Sequence, residues 1–136
     1  MGIPYVVRYD VFNEAVLLQC PTSIPIEVTL KYECADQAKC YDFLSALVSV
    51  LEEYAFTDFK KENRKVLVPE ISSFAIKIVL RLSPLSSTIK TRDLIVVSKE
   101  IADLIRNIAA EPQFATNIAL ENIVIRTPTR GIEVLR

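Results

Sequence analysis

From Ile24 to Glu33 the chain sets a large apolar residue at every second position, Ile24, Ile26, Val28, Leu30 and Tyr32, with Glu27, Thr29, Lys31 and Glu33 between them. Side chains alternate between the two faces of a strand, so this pattern predicts a strand buried on one side and solvated on the other. The segment from Phe74 to Leu82 repeats it, with Phe74, Ile76, Ile78, Leu80 and Leu82 expected inward and Ala75, Lys77, Val79 and Arg81 outward. Strands of a parallel sheet covered on both faces read as continuous apolar runs, so the two segments together predict an antiparallel sheet with one open face.

Two segments of helical period supply the cover for the other face. Between about Asp36 and Phe56 the residues Tyr41, Leu44, Leu47, Val48, Leu51 and Tyr54 fall on one side, opposite Asp42, Ser45, Ser49, Glu52 and Glu53. Asp36 is placed to cap that helix. Leu94, Ile95, Ile101, Leu104, Ile105 and Ile108 trace a second helix, with Thr91 as candidate N-cap and Pro112 as terminator. A short edge strand is expected at Val66, Leu67 and Val68, after the charged stretch Asp58 to Lys65, and a last strand from about Ile118 to Arg126. The expected core is Ile26, Val28, Leu30, Leu44, Leu47, Leu51, Ile76, Ile78, Leu80, Ile101, Leu104 and Ile108.

Residues 24 to 126 therefore read strand, helix, strand, strand, helix, strand. This is the order of the ferredoxin-like split βαβ arrangement, a two-layer α+β fold whose antiparallel sheet carries two helices on one face. Ahead of it, the alternation of Ile3, Tyr5, Val7 and Tyr9 and the run Ala15 to Leu18 predict an N-terminal β-hairpin that extends or flanks the sheet; the alternative is that the hairpin joins the main meander. The turn signal Pro128 to Gly131 is expected to return Ile132 to Leu135 as a tail strand. With no linker or repeat, residues 1–136 are expected to form a single domain.

The composition, 51% hydrophobic with only two glycines, excludes disorder and a loop-dominated fold. It also exceeds what a small globule needs to hide, which points to a protein partner or a homo-oligomer. A membrane-spanning helix needs roughly 20 consecutive apolar residues, and the best candidates are interrupted, Phe43 to Leu51 by Ser45 and Ser49, Phe74 to Leu82 by Lys77 and Arg81. The first residues lack a basic leader and an apolar stretch, so the expected location is the cytoplasm, with no membrane contact. A net charge of −1 gives no global attraction for nucleic acid, which is the less favoured partner. Cys20, Cys34 and Cys40 include no C-x-x-C pair, and the chain has no histidine, so no metal is expected. Reduced, mostly buried thiols are the expectation; pairing of Cys20 with Cys34 across neighbouring strands is the alternative.

Catalytic chemistry is poorly served. Without histidine, proton transfer near neutral pH falls to shifted carboxylates, lysine, tyrosine or cysteine, and none sits in a recognisable motif. No glycine-rich phosphate cradle can form from Gly2 and Gly131, so neither a catalytic role nor a cofactor is expected. Glu52 and Glu53 cannot share a helical face; Glu100 and Asp103 can, and both pairs are expected as solvated surface. The Glu100-Ile101-Ala102 cadence has the flavour of a helix-turn-helix first helix, but the β-type run after Pro112 leaves no recognition helix. The outward positions of the two long strands offer no aromatic platform for RNA bases.

The expected function is a non-catalytic interaction or assembly module, self-associating or part of a larger complex. The alternative is an accessory domain that binds anions or nucleic acid through a local basic cluster. In a split βαβ unit the loop after the first helix and the loop before the second lie at the same end of the sheet. That brings together Lys60, Lys61, Arg64 and Lys65 from one loop and Ser86, Ser87, Lys90, Thr91 and Arg92 from the other, at a helix N-terminus suited to phosphate or carboxylate.

Overall fold

The computed structural model describes residues 6–10, 15–19, 24–62, 64–85, 88–89, 91–127 and 131–135. In chain order the elements are β1 (Val6–Asp10), β2 (Ala15–Gln19), β3 (Ile24–Cys34), α1 (Gln37–Glu53), β4 (Lys65–Ile71), β5 (Ala75–Leu82), β6 (Thr88–Ile89), α2 (Thr91–Ala109), the single turn α3 (Pro112–Ala115), β7 (Ile118–Arg126) and β8 (Gly131–Leu135). The fold is α+β. Its main sheet has the order β4-β5-β3-β7-β8 and is antiparallel throughout. β3 lies at its centre, with Val28 opposite Ile78 on one side and Ile125 on the other. α1 carries the chain from β3 past β5 to the edge strand β4, and α2 carries it back across β3 to β7.

Alternation along β3 and β5 produces the buried face: Ile24, Ile26, Val28, Leu30, Tyr32, Ile76, Ile78, Leu80 and Leu82 form one cluster with Leu47 and Leu51 of α1 and Ile101 and Ile105 of α2. On the other face Glu27 lies 3.4 Å from Lys77 and 3.9 Å from Arg126, linking three adjacent strands. Within α2 the buried Ser98 hydroxyl donates to the Leu94 carbonyl, which satisfies it without a partner from outside the helix.

Several expectations need correction. Phe74 is 67% exposed, because it lies in the turn before β5 begins at Ala75. The apolar stripe of α1 is rotated: Cys40, Phe43, Leu47 and Leu51 are buried, Leu44 is only partly so, and Tyr41 is 52% exposed. One residue is about 100° of helical rotation, so Tyr41 stands well off the face that Cys40 heads. Tyr54 has extended backbone at the helix end and leaves the stripe altogether. Leu104 is also only partly buried. β4 is longer than Val66 to Val68 and runs through Pro69, where the pairing with β5 shifts register between Leu67 and Glu70. A proline cannot donate to the ladder, and an edge strand with a register shift accommodates it.

β1 and β2 form the expected hairpin in unbroken register, Val6 opposite Gln19 through Asp10 opposite Ala15. It does not join the main meander. β2 adds only Thr88 and Ile89 of β6, which makes a separate three-stranded sheet of order β1-β2-β6. β8 pairs with β7, as the tail-strand expectation required. Among the described residues no helix is long and apolar enough to cross a membrane.

Candidate functional site

The two loops that carry the predicted basic residues meet at one end of the sheet. Phe59 and Pro84 form an antiparallel bridge; the Lys60 amide donates to the Ser83 carbonyl at 2.7 Å, and the Leu85 amide to the Asp58 carbonyl at 3.0 Å. The first loop is tightly wound, with Phe56 and Phe59 buried in the core and Asp58 at φ 68°. Asp tolerates this left-handed conformation better than most residues other than glycine. Glu100, expected as solvated surface, holds the loop instead: its carboxylate accepts from the Thr57 amide at 3.0 Å and from the Thr57 hydroxyl at 2.8 Å.

Arg64 differs most from a free loop cation. Its guanidinium donates to the carbonyls of Leu51 (2.9 Å), Tyr54 and Lys60 (2.8 Å), so it closes the C-terminal end of α1 and ties the loop beneath it. Burial lowers its pKa. The planar fork, which can serve several carbonyls at once, suits arginine to this place. Lys60 and Lys61 are exposed on the loop, Lys65 is exposed on β4 opposite Arg81, and Arg92 is exposed in the first turn of α2. Ser86, Ser87 and Lys90 lie outside the described residues; Thr91 is the first residue of α2, and its side chain lies outside them too. The loop junction thus joins residues 58–60 to residues 83–85, with Lys60 and Lys61 exposed, while Arg64 is committed to backbone and Glu100 adds negative charge beside Thr57.

At the opposite end of the sheet sits a feature that the sequence did not reveal. Cys34, the last residue of β3, is joined by a disulfide to Cys40 in the first turn of α1, with Cα atoms 6.2 Å apart. This replaces both the expectation of reduced thiols and the Cys20–Cys34 alternative; Cys20 lies outside the described residues. The Asp36 carboxylate between them accepts from the Ala38 amide at 3.0 Å, as the capping expectation required. An open cleft of about 470 Å³ borders the bond, lined by Cys34, Gln37, Cys40, Tyr41, Ser72 and Ser73 among others. No family model, curated protein or solved structure matches the chain. Among the described residues no group of three histidine, cysteine or acidic side chains is arranged to hold a metal ion.

Proposed function

We propose that the chain is a non-catalytic assembly module, built on a two-layer ferredoxin-like split βαβ core, that self-associates by pairing β1 with β1 of a second copy. The core reading is supported by the strand order β4-β5-β3-β7, by α1 and α2 as its two crossovers, and by the single cluster that their buried residues share with the sheet. A cytoplasmic setting belongs to the same proposal.

The observation that carries the functional reading is the separation of the hairpin from the main sheet. Among the described strands β1 has a neighbour on one side only, and the third strand of its sheet contributes just two residues. Hairpins with so little support are marginal in water, and an open edge is a template for another strand. The β4 edge, in contrast, is interrupted at Pro69 and flanked by the exposed Lys65 and Glu70.

The β1 sequence is complementary to itself. In a two-fold antiparallel pair with Tyr9 opposite Tyr9, Arg8 of each copy faces Asp10 of the other. Each such cross-strand ion pair contributes about 0.2–1 kcal/mol, and the aromatic pair adds to them. Within the hairpin Arg8 and Asp10 stand opposite Leu17 and Ala15. The test is sedimentation velocity over a range of concentrations. Arg8→Asp and Asp10→Arg should each weaken the dimer about tenfold, equivalent to roughly 1.4 kcal/mol, and the double variant should restore it. A strict monomer, or single variants that associate like the parent, would remove the proposal. In a larger complex the same edge serves a strand from another protein.

A second reading, anion or nucleic-acid binding, is supported by the bonded junction of the two loops. It rests on Lys60, Lys61 and Arg92 with Lys90, not on Arg64. Lys60→Glu with Lys61→Glu should abolish retention on a phosphate-bearing matrix at low salt; equal retention counts against it.

A further inference from the structure

We propose that Cys34 and Cys40 form a thiol–disulfide exchange site whose reactant is a dithiol that enters through the cleft between the β3–α1 junction and the turn at Ser72 and Ser73. Both cysteines line that cleft, but unequally: Cys34 is half-buried at the strand end, whereas Cys40 is 4% exposed. An incoming thiolate therefore reaches Cys34 Sγ. The S–S bond breaks with its electron pair leaving on Cys40 Sγ. This thiolate forms at Cys40, in the first turn of α1. The second thiolate of the reactant then attacks its own sulfur in the mixed disulfide and expels Cys34 as thiolate. The protein disulfide gains two electrons and two protons, and the dithiol loses both and becomes a disulfide. A good leaving thiolate speeds such exchange.

Other contacts anchor the chain on both sides of the bond. On one side of it the Tyr32 amide donates to the Phe74 carbonyl at 3.0 Å and the Ala35 amide to the Asn117 carbonyl at 3.0 Å. On the other, Asp36 caps α1, and Phe43 and Leu47 anchor the helix in the core. Opening the bond releases a link of six residues in sequence and leaves these anchors in place. The site lies in the main sheet and is independent of self-association through β1.

The test is a redox titration of the full chain in mixtures of reduced and oxidised dithiothreitol, with thiols trapped by iodoacetamide. Trypsin cleaves after Lys39, so Cys34 and Cys40 fall on separate peptides that only the disulfide holds together. The expected result is that the two become alkylated together and reversibly, with an unchanged far-UV circular dichroism spectrum and the same behaviour in Cys20→Ser. In Cys40→Ser, Cys34 should be alkylated at least about tenfold faster than Cys40 is in Cys34→Ser, because Cys34 is the more exposed of the two. Both cysteines found free under oxidising mixtures would overturn the proposal, as would a disulfide from either one to Cys20, reduction only on unfolding, or equal alkylation rates.

Discussion

The guanidinium carbon of Arg64 lies 4.8 Å from the centre of the Phe56 ring. The same side chain that donates to three loop and helix-end carbonyls therefore also covers a buried aromatic, and it holds the α1 exit in one shape. Arg64→Ala should destabilise the fold by about 2–3 kcal/mol, since charged hydrogen bonds and a cation–π contact are lost together. Arg64→Lys should recover less than half of that, because an ammonium cannot serve the three carbonyls as a fork. Urea unfolding with an unchanged slope is the check; a variant as stable as the parent would return Arg64 to the anion-binding candidates.

Tyr32 links the core to the β4–β5 turn. The residue is 1% exposed, and its hydroxyl donates to the Ser72 carbonyl. Burial, and secondarily the Tyr41 phenol, raises its pKa above the ordinary 10.0. In the unfolded chain the phenol ionises near that ordinary value, whereas in the fold it stays neutral to higher pH. Its contribution is therefore whole below about pH 10 and lost as pH rises through the folded pKa. Tyr32→Phe should cost about 1–2 kcal/mol at neutral pH through the unpaired carbonyl, and it should lose less stability than the parent as pH rises above the ordinary tyrosine value. Parallel curves for the two would contradict this.

The phase of α1 can be read by truncation. Leu47→Ala should cost about 2–5 kcal/mol, as expected for a cavity in a filled core, and Leu44→Ala clearly less because Leu44 only borders that core. Asp36→Ala should cost about 1 kcal/mol through the lost cap. Thermal unfolding of the three variants checks the order; equal losses at Leu44 and Leu47 would place the helix face where simple periodicity put it.

Much of the architecture was legible because alternation is a property of each strand alone. Ile24 to Tyr32 and Ile76 to Leu82 are buried as their spacing requires, and Ile118 and Arg126 bound β7 as expected. The errors arose where neighbours decide. Phe74 continues the alternation but lies in a turn shaped by the Ser72 hydroxyl, which accepts from the Phe74 and Ala75 amides. Tyr41 and Tyr54 have the right spacing for a broad apolar face, yet the core is filled by Phe43 in contact with Tyr32 and Phe114. At the loop junction, composition identified the cations, but nothing local to Arg64 announces that the Leu51, Tyr54 and Lys60 carbonyls converge on it. The Cys34–Cys40 bond likewise depends on how the end of β3 meets the first turn of α1. A spacing of six residues across a strand–helix junction carries no motif.

The central claim, that the open edge of β1 pairs with a second copy, is tested most directly by amide hydrogen exchange of Val6 to Asp10 at low and high protein concentration. The outward-facing amides of β1 should gain protection as concentration rises, while those of β3 and β5 do not change. Exchange at β1 that is independent of concentration across the range would contradict it.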